Sequence, residues 1–469
     1  MGGAGLSRRR LFGTDGVRGV IGSELTPEFV LRLARAIGAY FGRGSRILVG
    51  RDTRSGGELF EGLVAAGLAF EGVEVHLAGT LPTPALQLYV RDHGYDAGVM
   101  VTASHNPPEY NGIKVVGGDG VEVPRDVEEG IEALFWEGKF STVEWRSVAG
   151  QPKRVHDAVD YYVNRVVENV SAFTQRGGGE RVVVDCGGGA TSFTTVEILK
   201  RLGARPIPLS CKPDPLFSSR DPEPTPDTLG PAASLVRSSG AVFGVGHDAD
   251  GDRAIVIDDR GRVVWGDRSG ALLAGFVAEV GLAKGPLKVY TGVSSSIVVE
   301  DYLRPRGIEV VWTPVGAPII ARAILTQGGI AAFEENGGYM HPPHQYVRDG
   351  GMKAALLLAM LRATGESLSS LLDRLPSYHP IKTKIPASRE EALCAVEAVK
   401  QEFQGERMVT IDGVKVIGEG YWVLVRPSGT EPVVRIMLEA RSEEEARALF
   451  ERVLRAVKEK CGIPSGGRT

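Results

Sequence analysis

Short apolar runs bounded by polar turns alternate along much of the chain with longer stretches of helical periodicity, and the alternation recurs three times. Residues 46–52, RILVGRD, predict a buried strand, followed by the turn TRSGG, a helical stretch to Phe70, Gly72 and a second strand, VEVHLAG. Residues 181–185, RVVVD, begin the same plan, with the turn CGGGATS, a helix through Lys200, Gly203 and then ARPIPLS. Residues 287–291, LKVYT, begin it again, with GVSSS, a helix through Tyr302, Gly307 and IEVVWTP. Strands alternating with helices predict right-handed βαβ units on a parallel or mixed sheet. The glycine just past each helix fits a left-handed cap.

The last part of the chain carries a different pattern. ESLSSLLDRL predicts a helix, SYHPIKTKIP a linker and strand, and SREEALCAVEAVKQEFQ a second helix. Hairpin strands follow around IDG and GEG, then the strand EPVVRIMLEA and a closing helix, SEEEARALFERVLRAVKEK, with a Ser cap and an acidic first turn. The expected fold is therefore three related α/β domains with mixed sheets followed by a smaller α+β domain. Its expected borders give domains at 1–155, 156–258, 259–375 and 376–469. A chain of 469 residues is too long for one core, which agrees with several domains.

Composition removes some function classes. Apolar residues make up 43% and charged residues 24%, ordinary globular usage, and the formal net charge of −4 offers no global basic surface for nucleic acid or anionic lipid. Cys186, Cys211, Cys394 and Cys461 are scattered and form no CxxC pair, so reduced, mostly buried thiols are expected rather than a disulfide framework or a zinc site. The N-terminal MGGAGLSRRRLFG lacks the apolar core of a signal peptide, and Leu6 stands where a myristoylation signal wants Ser or Thr. No apolar run reaches the length of a membrane span, and the expected location is the cytoplasm.

Five segments carry candidate chemistry. In Val245–Arg253, VGHDADGDR, the carboxylates of Asp248, Asp250 and Asp252 alternate across a tight turn between two apolar strands. Carboxylates so close repel one another unless a cation lies among them, and hard oxygen ligands suit Mg²⁺ or Ca²⁺. An EF-hand is a poor match, because its glycine and glutamate positions fall on Arg253 and Asp259. Arg253 is placed to hold a phosphate beside the cation; the bland alternative is a solvated acidic turn.

In VTASHNPPEYNGIK, Ser104 sits in a strand-end turn stiffened by Pro107 and Pro108, with His105 and Lys114 nearby as helpers for a weak hydroxyl nucleophile. Taken alone, the segment reads first as an Asn-Pro turn, and it gains weight as a nucleophile only in combination with the acidic run. In VLVRPSGTEPVVR, the residues Arg426, Ser428, Gly429, Thr430 and Arg435 form a compact set of anion donors. Glu334 and Asn336 in FEENGG lie two apart, a carboxylate and an amide suited to vicinal sugar hydroxyls, or simply a turn cap. Arg18 sits among glycines in LFGTDGVRG. No Walker loop is present, and Ser192 breaks the nicotinamide fingerprint at Gly187–Gly189.

Together and in this order, FGTDGVRG, TASHNPPEYNGIK, DADGDR, EENGG and RPSGTEPVVR resemble the α-D-phosphohexomutase superfamily, over nearly the whole chain from Leu11. The resemblance implies four domains around a central cleft and an enzyme that interconverts hexose 6-phosphates and hexose 1-phosphates through a phosphoserine and a sugar 1,6-bisphosphate. It implies that Ser104 carries the phosphoryl group and, with Asp248, Asp250 and Asp252, holds Mg²⁺. Lys114 and Arg18 would lie beside the transferring phosphate, Lys114 as general acid/base, with His105 close by. Glu334 and Asn336 would bind sugar hydroxyls, and Arg426, Ser428, Gly429 and Thr430, supported by Arg435, would grip the phosphate that does not react. The implied partners are small hexose phosphates. FGTDGVRG favours glucosamine phosphate, whereas EENGG resembles archaeal-type members of mixed phosphomannomutase and phosphoglucomutase specificity.

Two departures stand out. Gly338 occupies a position where many bacterial members carry a histidine for proton transfer, leaving His341 or His344 as candidates for that role. Ala317 replaces an aspartate of the family's VGD segment. Two rival readings remain at this stage. One is a haloacid-dehalogenase-like phosphatase on Asp248-Ala-Asp250-Gly251, although that motif wants Thr or Ser where Asp252 stands. The other is a sugar-phosphate binder without catalysis.

Overall fold

The computed structural model describes residues 10–140, 144–145, 150–174, 178–283, 285–429 and 431–462; the expectations placed on Leu6 and Thr430 fall outside them. The predicted repeat is present as three copies of one strand order. In each copy the first strand lies between the second and the third, and all three run parallel. Arg46–Arg51 lies between Glu74–Thr80 and Ala97–Val101. Arg181–Asp185 lies between Arg205–Leu209 and Phe243–His247. Lys288–Gly292 lies between Glu309–Thr313 and Ala331–Phe333. The first and third strands of each copy are buried, which is why they read as continuous apolar runs rather than alternating ones, whereas the second strands are only partly covered.

An antiparallel neighbour makes the first two sheets mixed: Tyr110–Gly117 pairs with Ala97–Val101, and Ala254–Asp258 pairs with Phe243–His247. The chain therefore leaves the third strand of each copy at its carboxyl end and must turn sharply. Those turns hold Ser104, the acidic run and the EENGG segment respectively. The carboxyl ends of parallel strands are where α/β folds place ligand-binding groups.

The chain forms two compact units, one of residues up to Trp265 together with Asn336–Ser369, the other of Gly266–Glu335 with Ser370–Thr469. The first unit contains the two mixed sheets and the helix Gly350–Thr364, which is buried from Gly350 to Met360 and packs on the helix Ala158–Thr174. Asp349 caps it, accepting from Met352 N at 2.8 Å and from the Tyr162 hydroxyl.

The second unit ends in a five-stranded antiparallel sheet, with Val433–Ala440 between His379–Pro386 and Tyr421–Pro427. Helices Arg389–Glu402 and Glu443–Cys461 cover one face through Val399, Val453 and Val457. Each opens with a capping box, Ser388 with Glu391 and Ser442 with Glu445, which satisfies two otherwise orphaned backbone donors. The other face packs Trp422 and Leu424 against Val293 and Ile297. Lys415 is buried there between the Trp312 and Trp422 rings, 3.7 and 4.0 Å from their centroids, and donates to Val293 O and Ser295 O.

The expectation of four free thiols is overturned. Cys186 is bonded to Cys211 and Cys394 to Cys461, with Cα separations of 4.8 and 5.8 Å. Spacing along the chain says nothing of proximity in space: Cys186 and Cys211 follow neighbouring parallel strands, and Cys394 and Cys461 lie on the paired helices of the C-terminal sheet. The second bridge closes a loop of 67 residues, for which restricting the unfolded chain is worth about 4 kcal/mol. Cys394→Ser is expected to lower the thermal midpoint of the transition that includes the C-terminal sheet, and a reductant should lower the wild type to the same value. An unchanged midpoint in both would remove the bridge's role. No helix among the described residues is long and apolar enough to cross a membrane.

Candidate active site

Ser104 stands three residues past the end of the strand Ala97–Val101 and has a positive φ of 51°, a conformation that costs a non-glycine residue energy and persists where the surroundings enforce it. The surroundings are visible. Its N–H donates to Thr102 Oγ1 at 2.8 Å, and Thr102 in turn donates to Asp52 Oδ2 at 2.6 Å. The Arg54 guanidinium reaches four carbonyls of the turn: Ser104 O and Asn106 O at 2.5 and 2.6 Å, and Pro107 O and Tyr110 O at 2.8 and 3.1 Å. Arg18 adds Ala103 O at 3.2 Å and Asn106 Oδ1 at 2.7 Å. A lysine at 54 has no planar fork to span four acceptors. Arg54→Lys is accordingly expected to cut turnover at least tenfold and to speed amide exchange across residues 102–110; unchanged exchange there would show that the turn holds itself.

The Ser104 hydroxyl is fully buried and donates to Asp248 Oδ2 at 2.9 Å, which joins the turn of the first sheet to the acidic run of the second. His105 Nδ1 lies 3.4 Å from the same hydroxyl. Burial, and after it the cations Arg253, Arg18 and Arg348, hold that imidazole neutral.

Carboxylate oxygens of Asp248, Asp250 and Asp252 lie within 4.8 Å of one another, all buried. Burial first, then Asp252 and Asp250, push Asp248 well above the usual carboxylate range. Asp250 Oδ2 accepts from Thr83 Oγ1 at 2.7 Å and Lys114 Nζ at 2.9 Å. Asp252 Oδ2 accepts from Lys114 at 3.3 Å and from Arg348. The other oxygens, Asp250 Oδ1 and Asp252 Oδ1, are buried with no hydrogen-bond partner in the protein. Buried carboxylate oxygens without donors are costly unless a cation meets them. The donor set fits a hard divalent ion.

Lys114 Nζ also lies 3.1 Å from Asp15 Oδ2. Burial works against its charge, but Asp15, Asp250 and Asp252 outweigh it and keep the amine protonated above its ordinary range. Burial likewise raises Asp15, and Lys114, Arg348 and Arg18 together overturn that and hold it ionised. Arg18 donates to Asp15 Oδ2 at 2.9 Å. Arg253, from the end of the acidic run, lies 3.8 Å from Asp252 Oδ1 and 3.3 Å from Glu223.

The first unit therefore brings together Arg18, Ser104, His105, Lys114, Asp248, Asp250, Asp252 and Arg253. Asn336 belongs to the same unit and accepts from Gly338 N at 3.2 Å; Glu334 lies buried in the second unit.

Arg426, Ser428, Gly429 and Arg435 are in the second unit, where the strands Tyr421–Pro427 and Val433–Ala440 place Arg426 directly opposite Arg435. Like charges so placed repel unless anions attend them. Asp412 meets Arg426 at 3.2 Å and Glu431 meets Arg435 at 3.3 Å. A cavity of about 720 Å³ beside this turn is lined by Arg389, Lys400, Arg426 and Ser428 among others.

Of the two histidines near Gly338, His344 shares a 3.2 Å contact between its Nδ1 and the Asn169 amide, and its Nε2 lies 3.2 Å from Asp349 Oδ2 without forming a hydrogen bond. His341 is buried with neither ring nitrogen bonded, and burial pushes it down to about 3. The helix Ala317–Gln327 has Gly316, which carries no side chain, at its N-cap, and Ala317 is its first residue. Sequence reasoning missed Asp15, Asp52, Arg54, Thr83 and Arg348. Asp15 and Arg54 stood inside segments already singled out, FGTDGVRG and the turn after RILVGRD, but nothing in the spacing showed which atoms they would meet.

The comparisons with known proteins agree along the chain. Residues 9–142, 160–261 and 265–378 match phosphoglucomutase/phosphomannomutase alpha/beta/alpha domains I, II and III, and residues 382–456 match the C-terminal domain. The phosphoglucosamine/phosphogalactosamine mutase of Sulfurisphaera tokodaii is 46% identical over 456 residues, 96% of this chain and 100% of that one. The phosphoglucomutase/phosphomannomutase of Thermococcus kodakarensis is 37% identical over 96% of this chain and 99% of its own. A crystal structure of a phosphoglucomutase/phosphomannomutase family protein from Burkholderia thailandensis superposes with a TM-score of 0.85 at 26% identity, covering 97% of this chain and 99% of that one. With four domains matched from residue 9 to residue 456, the chain belongs to the phosphoglucomutase/phosphomannomutase family, the phosphohexomutase isomerases.

Proposed function

We propose that the chain interconverts glucosamine 6-phosphate and glucosamine 1-phosphate, with Ser104 as phosphoryl carrier and a sugar 1,6-bisphosphate as intermediate and activator. The observation that carries the site is the Ser104 hydroxyl bonded to Asp248 at 2.9 Å, in a strained turn beside two buried carboxylate oxygens without donors. The name of the 46% identical relative supports the amino sugar. Phosphomannomutase and phosphoglucomutase activity is the second reading, favoured by the name of the 37% identical relative. Family membership sets the phosphatase aside. The four domain matches support borders near Val155, Asp259 and Pro376.

Asp248, Asp250 and Asp252, with an oxygen of Ser104, would hold Mg²⁺. The ion, when bound, would neutralise charge on the serine oxygen as its bond to phosphorus breaks. A sugar hydroxyl attacks the phosphorus of phosphoserine 104, the bond to Ser104 Oγ breaks, and the hydroxyl proton passes to a base. Lys114 Nζ and the neutral His105 are the groups within reach of Ser104 and the acidic run. Lys114, held protonated by Asp15, Asp250 and Asp252, acts first as a fixed cation for the phosphoryl group; Asp250 and Asp252 would be shared with the cation, and Lys114 would then serve in proton transfer. Arg18 stands beside the same turn. The second phosphate then returns to Ser104 and the isomer leaves. Glu334 and Asn336 are assigned to sugar hydroxyls, and Arg426, Ser428, Gly429, Thr430 and Arg435 to the phosphate that does not react.

Phosphorus NMR tests this. Glucosamine, mannose and glucose 6-phosphates are offered in parallel with Mg²⁺ and a trace of glucose 1,6-bisphosphate. A 1-phosphate signal appearing fastest from glucosamine 6-phosphate supports the proposal. Faster turnover of mannose or glucose phosphate would transfer the assignment to the second reading.

A further inference from the structure

Arg348 has no part in the mechanism proposed above, yet it is buried beside the acidic run. It is 5% exposed, and its guanidinium donates to Asp252 Oδ2 and, at 3.1 Å, to Asp15 Oδ2. Its backbone sits on a fixed frame. The next residue, Asp349, donates its N–H to Tyr339 O at 2.9 Å and caps the helix Gly350–Thr364 with its side chain.

The path of the side chain runs over Gly338. A Cβ placed there would lie 2.5 Å from Arg348 Cδ and 2.8 Å from Arg348 Cγ, closer than carbon atoms tolerate. Gly338 is itself bridged in antiparallel fashion to Arg253, and Gly337 O accepts from Ala254 N at 3.2 Å, so this stretch cannot easily back away from the acidic run. The glycine and the arginine are thus one arrangement: the missing side chain is the room through which the guanidinium reaches Asp252.

The acidic run shows what the contact does. Asp250 and Asp252 each have one oxygen held by protein donors and one without any. For Asp250 the held oxygen meets Thr83 and Lys114; for Asp252 it meets Lys114, at 3.3 Å, and Arg348. Without Arg348, Asp252 Oδ2 would keep a single long hydrogen bond, to a lysine that also serves Asp15 and Asp250, and Oδ1 only the Arg253 guanidinium 3.8 Å away. Both carboxylates accept from one guanidinium nitrogen, Nη2, and the planar, permanently charged group, held on its course past Gly338, fixes where that nitrogen lies, whereas an ammonium on a flexible stem does not. Groups that orient metal ligands in this way commonly change metal affinity by one to two orders of magnitude.

We propose that Arg348 is a positioning residue of the phosphoryl-transfer site. It holds Asp252 by one oxygen so that the other faces a divalent cation, and Gly338 is glycine in order to admit it. The inference rests on the reading of Asp248, Asp250 and Asp252 as a cation site.

The test is titration of the unphosphorylated full-length protein with Mn²⁺, followed by electron paramagnetic resonance, alongside kcat and KM for the hexose phosphate. The proteins are the wild type, Arg348→Gln, Arg348→Lys, Gly338→Ala and Gly338→Ala/Arg348→Gln, each checked for native circular dichroism and thermal midpoint. Wild type is expected to bind Mn²⁺ at one site from which Mg²⁺ displaces it. Arg348→Gln should weaken that affinity at least tenfold and lower kcat at least as much, with KM within threefold of wild type, and Arg348→Lys should fall between. Gly338→Ala keeps every charged group and still should weaken Mn²⁺ binding. In the double variant its effect should vanish, because it acts through Arg348.

Affinity of Arg348→Gln within threefold of wild type overturns the proposal. So does an effect of Gly338→Ala that simply adds to that of Arg348→Gln. Should Arg348→Gln not fold, Arg348→Lys and Gly338→Ala, which keep the charge, decide on the same criteria. If the wild type binds no Mn²⁺ that Mg²⁺ displaces, the cation site itself falls, a result distinct from loss of affinity in the variants alone.

Discussion

Ser104→Ala is expected to lower turnover by at least three orders of magnitude while leaving sugar-phosphate affinity within a few-fold of wild type. The proposed mechanism passes the phosphoryl group through this one oxygen twice per cycle, so its loss removes both half-reactions rather than slowing one. The turn should survive, because Arg54 and Arg18 hold it through backbone carbonyls and Asn106, and Thr102 takes the residue-104 N–H. Steady-state kinetics with excess 1,6-bisphosphate, together with calorimetric binding of hexose phosphate, would check this. Retention of a tenth of the wild-type rate would mean that another group carries the phosphate.

Asp250→Asn is expected to be nearly as damaging, by a different route. The amide keeps the shape of the carboxylate and can still accept from Thr83 Oγ1, 2.7 Å away in the wild type. What it loses is charge, both toward a cation and toward Lys114, whose ammonium is held at 2.9 Å. Turnover should fall at least 10³-fold, and the dependence of the remainder on Mg²⁺ concentration should disappear. Magnesium-stimulated turnover within tenfold of wild type would sink the assignment of the acidic run. The substitution also bears on Lys114. With one of its three carboxylates neutralised, its proton is held less tightly, so any residual activity should show a pH profile displaced to lower values.

The three-fold repeat was legible in the sequence because buried parallel strands have to be written as unbroken apolar runs, and because each helix needed a residue that tolerates positive φ at its end. Gly72, Gly203 and Gly307 have φ of 84°, 81° and 73°. The C-terminal hairpins and both capped helices were legible for similarly local reasons, since Ser388 with Glu391 and Ser442 with Glu445 act within one turn. The acidic run stood out because carboxylates so close repel unless a cation lies among them, and Ser104 stood out only in combination with it; their motifs carried the family resemblance that the domain matches bear out.

What only the tertiary structure decided concerns groups far apart in the chain. The two disulfides join cysteines 25 and 67 residues apart. Arg54 clamps a turn fifty residues on, and the bond from Ser104 to Asp248 crosses 144 positions between two sheets. Arg348 reaches Asp15 across 333 positions and Asp252 across 96, over a glycine whose absent side chain makes the passage. Local pattern encodes which face of a strand or helix is apolar and where it must stop, because those depend on neighbours one to four residues away. Partners of buried charges depend on which strand ends the sheets bring together, and that is decided only when the sheets are packed.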